Sequence, residues 1–485
     1  MKKRPRKWLW IITIFFVSSI GASYGARGRG PRTQNGGTAR STTTAPVVSD
    51  VGKLRRVIVL TPGEEMRRMT LLASGDHPGL ADDAMQPAAI SQHKRFVLLL
   101  QQQGAEVLTF EDLLDSAIRV ARERGALPEW LQKHFARSPE LWKQSDEITA
   151  SDLLGRGRYF YHYDGQGRFA PLVWPQKWLY YTRDSAVMTP RGLVVTRFAN
   201  YDRAMDATLM EFAFRYAPEL AGYPIAFNAE AEDVFVQGGD LMVLDEHTLL
   251  LGTGNLSEPQ AAERLAQKLN MEVLGVSLPR LGAWKSGYSA FTGVHLQFLH
   301  LDTFFTLVDK NKALTVPYVL EARYAENDPI LGLLGRVEED SRAMQGADPA
   351  RYKNSDARIA AAQQAIREIG WVTRYEPGTG RATALQEKLV DVLRKRNYTI
   401  IPVGGEKGSL STEEYLLERV LFELNFQAGN VVALRPGVVA VYGENVHTIA
   451  ALRMAGVEVL PFEGSYLAMW HGGPHCLTLP LERDP

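Results

Sequence analysis

The chain has 485 residues, and its 55 Lys and Arg residues are balanced by 55 Asp and Glu residues, which gives a formal net charge of zero. Proteins that bind nucleic acid through its phosphates usually carry a basic surface, and this balance gives no sign of one. The 45% of hydrophobic and 23% of charged residues are ordinary for a globular protein with one large core or more than one domain. We therefore expect a small-molecule partner and no nucleic acid.

The first 26 residues are typical of an export signal. Five basic residues precede an apolar run from Trp8 to Ile20, and the small residues Ser23 and Gly25 follow it. The run is shorter than the roughly 20 residues that span a bilayer. We interpret residues 1–26 as a secretory signal peptide, with an uncleaved signal anchor as the alternative. The protein is then secreted or periplasmic, and it meets a membrane only if this segment is retained.

Residues 27–50, rich in Gly, Arg, Ser and Thr, predict a disordered linker, and residues 51–485 predict the folded domain. The domain begins with a β-branched run that ends at Leu60, followed by the turn pair Pro62-Gly63. A helix is predicted from Ile90 to Gln103. A strand is predicted from Glu106 to Phe110.

Two stretches interrupt the strand pattern. Residues 113–170 show no alternation of apolar and polar positions before Trp174. Residues 321–381 are charged, rich in alanine and helical in pattern. We predict that each is a helical insertion in the domain.

One order of elements recurs along the domain. In residues 240–278, two short apolar strands are followed by a helix and a third strand, and Ser257 with Gln260 predicts a capping box at the start of that helix. The same order is found at residues 431–462 and 186–227, with partial copies at 51–110 and 298–316. About five ββαβ units in one chain predict an α/β fold closed into a ring with a pseudo-symmetry axis.

Cys476 is the only cysteine, so it has no partner for an internal disulfide. It stands in the segment His471-Gly-Gly-Pro-His-Cys476, where glycines let the backbone approach a ligand closely. From these residues alone the thiol is a nucleophile, a free accessory thiol or a buried, inert side chain, and its glycine-rich neighbourhood favours the nucleophile.

Three other residues have the chemistry to complete a site with Cys476. His300 and Asp302 are two apart, which on a strand places both side chains on the same face, and Asp240 follows two glycines before a predicted hairpin. Carboxylates on two sides suit a planar guanidinium, which a thiolate can attack while an imidazole handles protons. The alternative is a surface or buried pair without a ligand. No recognisable helical metal motif such as H-E-x-x-H is present, and we expect neither a metal nor a cofactor.

Several ordered motifs from Val51 to Pro485 resemble the arginine deiminase family, which belongs to the guanidine-modifying (amidinotransferase) superfamily. They are Val51-Gly-Lys-Leu-Arg-Arg-Val, Thr61-Pro-Gly, Leu179-Tyr-Tyr-Thr-Arg-Asp184, Gly238-Gly-Asp240, His300-Leu-Asp-Thr-Phe-Phe-Thr, Gly472-Gly-Pro-His-Cys476 and Arg483-Asp-Pro485. The resemblance implies a pentein α/β propeller of five pseudo-symmetric ββαβ units around a central active site.

The family's roles, transferred to this chain, imply that Cys476 attacks the guanidinium carbon while His300 handles protons. Asp240 and Asp302 would hold the guanidinium, and Arg203, Arg183, Asn255 and His471 would contact the rest of the substrate. The resemblance thus implies a hydrolase that turns L-arginine, or a relative, into citrulline, or the matching ureido compound, and ammonia. An amidinotransferase with an amine acceptor and a non-catalytic binding pentein are the alternatives.

The chain departs from the family's motifs at several positions. Gln237 replaces the usual Glu before Gly-Gly-Asp, and Gly254-Asn255-Leu256-Ser257 stands where the family has S-E-R-T, whose Glu orients the catalytic histidine. His471 replaces an arginine that contacts the substrate carboxylate, and Arg203 is the one arginine in the helical segment that supplies another. The exact guanidino substrate therefore stays open, as does the oligomeric state, including a homo-oligomer.

Overall fold

The computed structural model describes residues 47–72, 85–136, 138–157, 162–163, 169–170, 173–199, 203–254, 256–279, 298–324, 364, 366–469 and 471–485. The predicted signal segment and most of the predicted linker lie outside these ranges. The last linker residues do not, because Val47 and Asp50 are buried. The Asp50 N–H donates to the Val243 carbonyl at 3.0 Å, and the Val243 N–H donates to Asp50 Oδ2 at 2.9 Å. The folded region therefore includes Val47–Asp50, contrary to the predicted boundary at residue 51.

The strands of the described residues are short. They are β1 (Leu54–Val59), β2 (Glu106–Thr109), β3 (His162–Tyr163), β4 (Phe169–Ala170), β5 (Ala186–Thr189), β6 (Gly192–Val195), β7 (Ile225–Asn228), β8 (Leu241–Asp245), β9 (Thr248–Thr253), β10 (Glu272–Ser277), β11 (Phe305–Asp309), β12 (Lys312–Thr315), β13 (Trp371–Tyr375), β14 (Ala382–Lys388), β15 (Thr399–Pro402), β16 (Val432–Arg435), β17 (Val438–Tyr442), β18 (Glu458–Phe462) and β19 (Leu479–Arg483).

The helices lie between and beside these strands. They are α1 (Glu64–Leu72), α2 (Met85–Gln102), α3 (Phe110–Glu123), α4 (Leu127–His134), α5 (Pro139–Lys143), α6 (Ala150–Leu153), α7 (Ala204–Tyr216), α8 (Pro259–Leu269), α9 (Pro317–Leu320), α10 (Leu389–Lys395), α11 (Thr412–Tyr415), α12 (Phe422–Asn425), α13 (Val446–Met454) and α14 (Ser465–Ala468), with a π-helical turn at Leu416–Leu421 between α11 and α12. None of the described helices is long and apolar enough to cross a membrane.

Five sheets share one design. In each, two antiparallel strands are followed in space by a third strand that runs parallel to the second one. Four of the sheets have the orders β19-β1-β2, β5-β6-β7, β11-β12-β15 and β16-β17-β18. The fifth contains β8-β9-β10, and β13 and β14 extend it beyond β10. A parallel neighbour needs a crossover connection, which α2, α7, α8, α10 and α13 supply. The α/β class and the recurring ββαβ order therefore agree with the sequence prediction.

Helix α8 illustrates how the pattern forms. Its buried residues are spaced as one face of a helix, which packs on the sheet. They are Ala261, Ala262, Leu265, Ala266 and Leu269. The helix begins at Pro259 after Glu258, so the predicted capping box of Ser257 and Gln260 does not form. The Ser257 hydroxyl instead donates to Asp240 Oδ2 at 2.6 Å, which removes it from helix capping.

The first insertion contains the helices α3 to α6, and the two-residue strands β3 and β4 lie at its end, where the sequence predicted no strand. Arg156 joins it to the first turn of α1, because its guanidinium contacts Glu65 of α1 at 2.5 Å and Glu111 of α3 at 2.6 Å.

The second insertion differs from the prediction at its end. Residues 325–363 lie outside the described ranges, but Trp371–Tyr375 forms strand β13, which pairs antiparallel with β10. Its sequence WVTRY is aromatic and β-branched, and it covers an edge of the sheet that would otherwise be exposed. The predicted helix over residues 321–381 is therefore wrong at this strand.

Candidate active site

One buried polar side chain lies in the turn just before the first strand of each of the five sheets. These side chains are Asp184 before β5, Asp240 before β8, Asp302 before β11, Asn430 before β16 and Cys476 before β19. The three aspartates lie in single turns of 3-10 helix at Thr182–Ser185, Gly238–Asp240 and Leu301–Thr303. The repeat thus presents one functional group from each sheet.

Hydrogen bonds connect these turns to one another. The Leu301 N–H donates to Asp240 Oδ1 at 3.0 Å, and the Cys476 thiol donates to Asp302 Oδ2 at 3.3 Å. The Asn430 amide donates to Cys476 Sγ at 3.0 Å, and the Arg183 N–H donates to the Cys476 carbonyl at 3.2 Å. The structure therefore brings together Cys476, Asp240 and Asp302, which the sequence predicted as one site.

Cys476 is buried, and its surroundings disfavour the thiolate. Burial, followed by the charges of Asp302 and Asp184, raises the pKa of the Cys476 thiol well above its ordinary value. Burial also raises the pKa of Asp302 to about 7. At neutral pH the unliganded site thus holds a thiol that donates to a carboxyl group, and a bound cation is the natural counter-charge.

His475 shares this carboxylate. Its Nδ1 lies 2.9 Å from Asp302 Oδ2, the same oxygen that accepts from Cys476. Burial, then the nearby Arg183 and Arg483, lowers the pKa of His475 well below its ordinary value. A neutral His475 with its proton on Nδ1 therefore donates to Asp302 and fixes the position of that carboxylate.

The spacing of His300 and Asp302 predicted that both lie on one strand, and this prediction is wrong. His300 precedes the turn Leu301–Thr303, and its Nε2 lies 2.8 Å from Gln237 Oε1. The carbonyl of Gln237 accepts the Nε2 proton, which leaves Nδ1, 3.8 Å from Asp184 Oδ1, as the proton-accepting nitrogen of the neutral ring. A Cβ at Gly239 would lie 2.7 Å from this Nδ1, so a glycine is needed for this approach. Gln237 is thus the residue that contacts the histidine. Asn255 was predicted to contact the substrate, and its segment aligns with the family's histidine-orienting motif. Asn255 lies outside the described residues.

Asp240 lies in the site, and both of its oxygens accept hydrogen bonds from the chain. Its Oδ2 accepts from Ser257 at 2.6 Å and its Oδ1 accepts from the Leu301 N–H at 3.0 Å. Burial raises the pKa of Asp240 to about 6, although these hydrogen bonds act against that rise. Both oxygens of Asp240 therefore serve to join two turns, and its role in holding the guanidinium stays a prediction.

Asp184 is the carboxylate that sequence reasoning missed. It was noted within the Leu179–Asp184 motif but was given no role. Its Oδ2 pairs with Arg203, while its Oδ1 has no hydrogen-bond partner among the described residues, and the same is true of Asp302 Oδ1. Asp184 precedes a hairpin as Asp240 and Asp302 do. This equivalent position is the sequence signal that could have identified it as a site residue.

The two arginines predicted to contact substrate are engaged elsewhere. Arg203 contacts Asp184 at 2.8 Å and Asp206 at 3.0 Å. Burial opposes its charge, and the two carboxylates more than offset this, so that the pKa of Arg203 is raised. Arg183 is buried with its Nη1 3.5 Å from Asp50 Oδ1. The guanidinium of Arg203 thus serves two buried carboxylates of the chain. Arg183 Nε and Nη2 have no hydrogen-bond partner among the described residues, and its contact with substrate stays a prediction.

His471 lies partly exposed five residues before the nucleophile, and its backbone is left-handed with φ of 62°. Among the residues that the structure describes, no three His, Cys, Asp or Glu side chains are grouped so as to hold a metal ion.

The chain is similar in sequence to known arginine deiminases over most of its length. The family model described as "Arginine deiminase" matches residues 161–332 and 350–483. The arginine deiminase of Rhodococcus erythropolis (strain PR4 / NBRC 100887) is 26% identical over 468 residues, which cover 90% of this chain and 97% of that protein. The arginine deiminase of Metamycoplasma hominis is 25% identical over 464 residues, which cover 90% of this chain and 96% of that protein.

Among solved structures, the substrate-bound N-terminal domain of ArgZ, an arginine dihydrolase of cyanobacteria, matches with a TM-score of 0.46 and 14% identity over 88% of this chain and 98% of that chain. A dimethylarginine dimethylaminohydrolase adduct matches with a TM-score of 0.42 and 12% identity over 88% of this chain and 99% of that chain.

Proposed function

The chain belongs to the arginine deiminase family, and we propose that it is a hydrolase that converts the guanidino group of L-arginine, or of a related compound, into a ureido group and ammonia. The observation that carries the proposal is a pair of buried carboxylates, Asp184 and Asp302, each with one unpartnered oxygen, in the site of the only cysteine. Two such carboxylates provide the paired, charge-assisted hydrogen bonds that a guanidinium needs.

In this proposal Asp184 and Asp302, rather than Asp240, hold the substrate guanidinium. Its positive charge offsets the two carboxylates that raise the pKa of the Cys476 thiol. The substrate therefore favours the thiolate that attacks it, and the nucleophile stays largely protonated until the site is filled.

The first half of the reaction forms a covalent intermediate. The Cys476 thiol gives its proton to His300, and the sulfur forms a bond to the guanidinium carbon while a C=N electron pair moves to nitrogen. His300 then protonates the leaving nitrogen, the C–N bond breaks, and ammonia departs. The remaining carbon is held on sulfur as a thiouronium.

The second half consumes water. His300, now neutral, takes a proton from water as the oxygen bonds to the same carbon. The C–S bond then breaks, the sulfur regains a proton from His300, and the remaining hydroxyl proton is passed to ammonia, which becomes ammonium. The carbon keeps a C=O bond, so guanidinium plus water gives a ureido group plus ammonium. Gln237 holds the histidine through Nε2 during both steps, and it is neutral where the family has a carboxylate.

We also propose that the five sheets close into a ring of five ββαβ units with the site at its centre. Contacts between the consecutive sheets support this arrangement. The Thr306 hydroxyl donates to the Gly429 carbonyl at 2.9 Å, and the Thr182 hydroxyl donates to the Leu477 carbonyl at 3.3 Å. The Leu301–Asp240 bond joins the sheets of β8 and β11, and the Asn430–Cys476 bond joins the sheets of β16 and β19. Two backbone hydrogen bonds between Arg197 and Val236, at 3.0 and 3.2 Å, join the sheets of β5 and β8.

The export of the protein is a further proposal, supported by the basic and apolar pattern of residues 1–26. The mass of the mature N-terminus, measured on protein recovered from the producing cell's exterior or periplasm, tests it. Recovery of the chain only in the cytoplasm with residues 1–26 intact would exclude it.

The proposed reaction is tested by ammonia release from purified full-length protein incubated with L-arginine, agmatine and a peptidyl arginine. We expect ammonia from at least one guanidine and none from Cys476→Ser, which keeps the size of the side chain. Ammonia released equally by Cys476→Ser, or by neither protein, would refute the proposal.

A further inference from the structure

Asn430 makes three hydrogen bonds to the segment that carries the nucleophile. Its Nδ2 donates to Cys476 Sγ at 3.0 Å, and its Oδ1 accepts from the N–H groups of His475 at 3.0 Å and Cys476 at 3.2 Å. The side chain is fully buried. One amide group therefore fixes both the backbone and the sulfur of the nucleophile.

The turn that carries Asn430 is itself held in place. Gln427 is buried in the left-handed region with φ of 57°, and its carbonyl accepts from the Asn430 N–H at 3.0 Å. A non-glycine residue in this region is strained and persists where the surroundings enforce it. The Thr306 hydroxyl, on the strand that follows Asp302, donates to Gly429 at 2.9 Å. Asn430 is thus fixed relative to the carboxylate as well as to the thiol.

The nucleophile segment packs against this asparagine without a gap. A Cβ at Gly473 would lie 2.5 Å from the Asn430 carbonyl oxygen and 2.6 Å from its Oδ1. The glycine therefore allows the close approach that brings the amide within reach of the sulfur.

The groups that face Cys476 act in opposite directions on its ionisation. Asp302 and Asp184 disfavour the thiolate, and the adjacent His475 is held neutral. Asn430 is the one side chain among the described residues that donates a hydrogen bond to the sulfur, and the Gly473 backbone acts in the same direction. A donor to sulfur stabilises the charged form more than the neutral form.

We propose that Asn430 is a positioning residue that stabilises the thiolate of Cys476 through Nδ2 while its Oδ1 fixes the nucleophile segment. The inference rests on the proposed function only in assigning a catalytic purpose to that thiolate. An aspartate at this position keeps an accepting oxygen, removes the donor and adds a charge, whereas an alanine removes the donor without adding a charge.

The test is the pH dependence of Cys476 alkylation by iodoacetamide in the full chain and in Asn430→Asp, followed by intact mass. Because Cys476 is the only cysteine, each added carbamidomethyl group reports this thiol. We expect the midpoint of alkylation to move upward by roughly one pH unit or more. In deimination, kcat falls about 10-fold or more while KM stays within about two-fold.

Asn445→Asp is the matched control, because Asn445 is also a fully buried asparagine, and its Nδ2 donates to the Phe426 carbonyl at 2.8 Å instead of to sulfur. It leaves the alkylation midpoint unchanged even if it lowers thermal stability. Asn430→Ala, which removes the donor without adding a charge, is measured beside Asn430→Asp and is expected to move the midpoint upward as well.

An unchanged alkylation midpoint in a folded Asn430 variant would overturn the inference. This outcome differs from failure of the proposed function, in which the unmodified protein releases no ammonia from any guanidine. The alkylation profile decides the role of Asn430 in either case, since it needs no turnover.

Discussion

The thiol of Cys476 donates a hydrogen bond to Asp302 Oδ2 across 3.3 Å, inside a site where both groups are buried. This contact keeps the proton on the sulfur in the absence of a ligand, because a thiolate beside a carboxylate would place two like charges together. The nucleophile thus stays a thiol until a cation enters the site.

Asp302→Asn should therefore separate nucleophile reactivity from catalysis. Removing the charge lowers the pKa of the thiol, so alkylation by iodoacetamide becomes faster at neutral pH. Deimination falls by about 10² to 10³ in kcat/KM, because the guanidinium loses a buried ionic partner. Asp309→Asn, which removes a carboxylate paired with Lys312 at 3.0 Å at the end of the following strand, is the control and changes neither rate. Slower alkylation of Asp302→Asn would contradict this account.

The same carboxylate sets a pH dependence of stability. Burial raises the pKa of Asp302 to about 7, above the value of about 3.9 for an unfolded chain. The folded state thus binds the proton more tightly than the unfolded state. The contribution of this carboxyl group to the free energy of unfolding is fully present below about pH 4 and is lost as the pH rises to about 7. The free energy of unfolding of the native protein, measured against that of Asp302→Asn by urea denaturation, should fall over this range. If the free energy of unfolding of the native protein, relative to Asp302→Asn, rises with pH over this range, the prediction is contradicted.

Arg203 should matter for stability because it joins Asp184 and Asp206 in a buried ion pair. Arg203→Met leaves both carboxylates without their cation and should lower the free energy of unfolding by about 3 kcal/mol or more. Arg197 is the comparison, since it pairs with Glu230 and Asp233, which are 72% and 92% exposed. Arg197→Met should cost less than about 1 kcal/mol. Equal losses in urea denaturation would show that Arg203 has no special role in holding Asp184.

Gln237→Glu should extend activity to higher pH. The carboxylate would accept from His300 Nε2 as the amide does now at 2.8 Å, and it would also stabilise the imidazolium that protonates the leaving group. The alkaline limb of the kcat profile is expected to move upward by about one pH unit. Gln237→Met, which removes the hydrogen bond without adding charge, should lower kcat at all pH values. An alkaline limb that moves downward in Gln237→Glu would argue against His300 as the proton donor.

Much of the fold could be predicted from local patterns. The β-branched runs and the Pro436-Gly437 turn of β16 and β17 are short-range signals, and they identified the recurring ββαβ order. The pairing of β19 with β1 could not be predicted in this way, because it joins the two ends of the domain. The strand Trp371–Tyr375 was missed since the alanine-rich, charged segment before it set a helical period over the whole stretch.

The residue types of the site could be predicted from the sequence. The hydrogen bonds and ion pairs between them could not. Asp184, Asp240 and Asp302 occupy equivalent positions, and nothing in their spacing tells which carboxylate has a free oxygen. That depends on Ser257 and the Leu301 N–H, which satisfy Asp240 only after the chain has folded. Arg203 was taken as a substrate contact for the same reason, because its two aspartate partners were not apparent as ion pairs in the sequence.

The central claim is that Cys476 becomes covalently bound to a guanidino carbon and that this step releases ammonia. Intact mass spectrometry of the protein, acid-quenched during turnover of L-arginine, agmatine or a peptidyl arginine, with ammonia measured in parallel, tests it most directly. The account predicts a mass increase equal to the substrate minus ammonia, located on Cys476 by peptide mapping and absent in Cys476→Ser. Ammonia release without any adduct at Cys476, or an adduct on another residue, would contradict it.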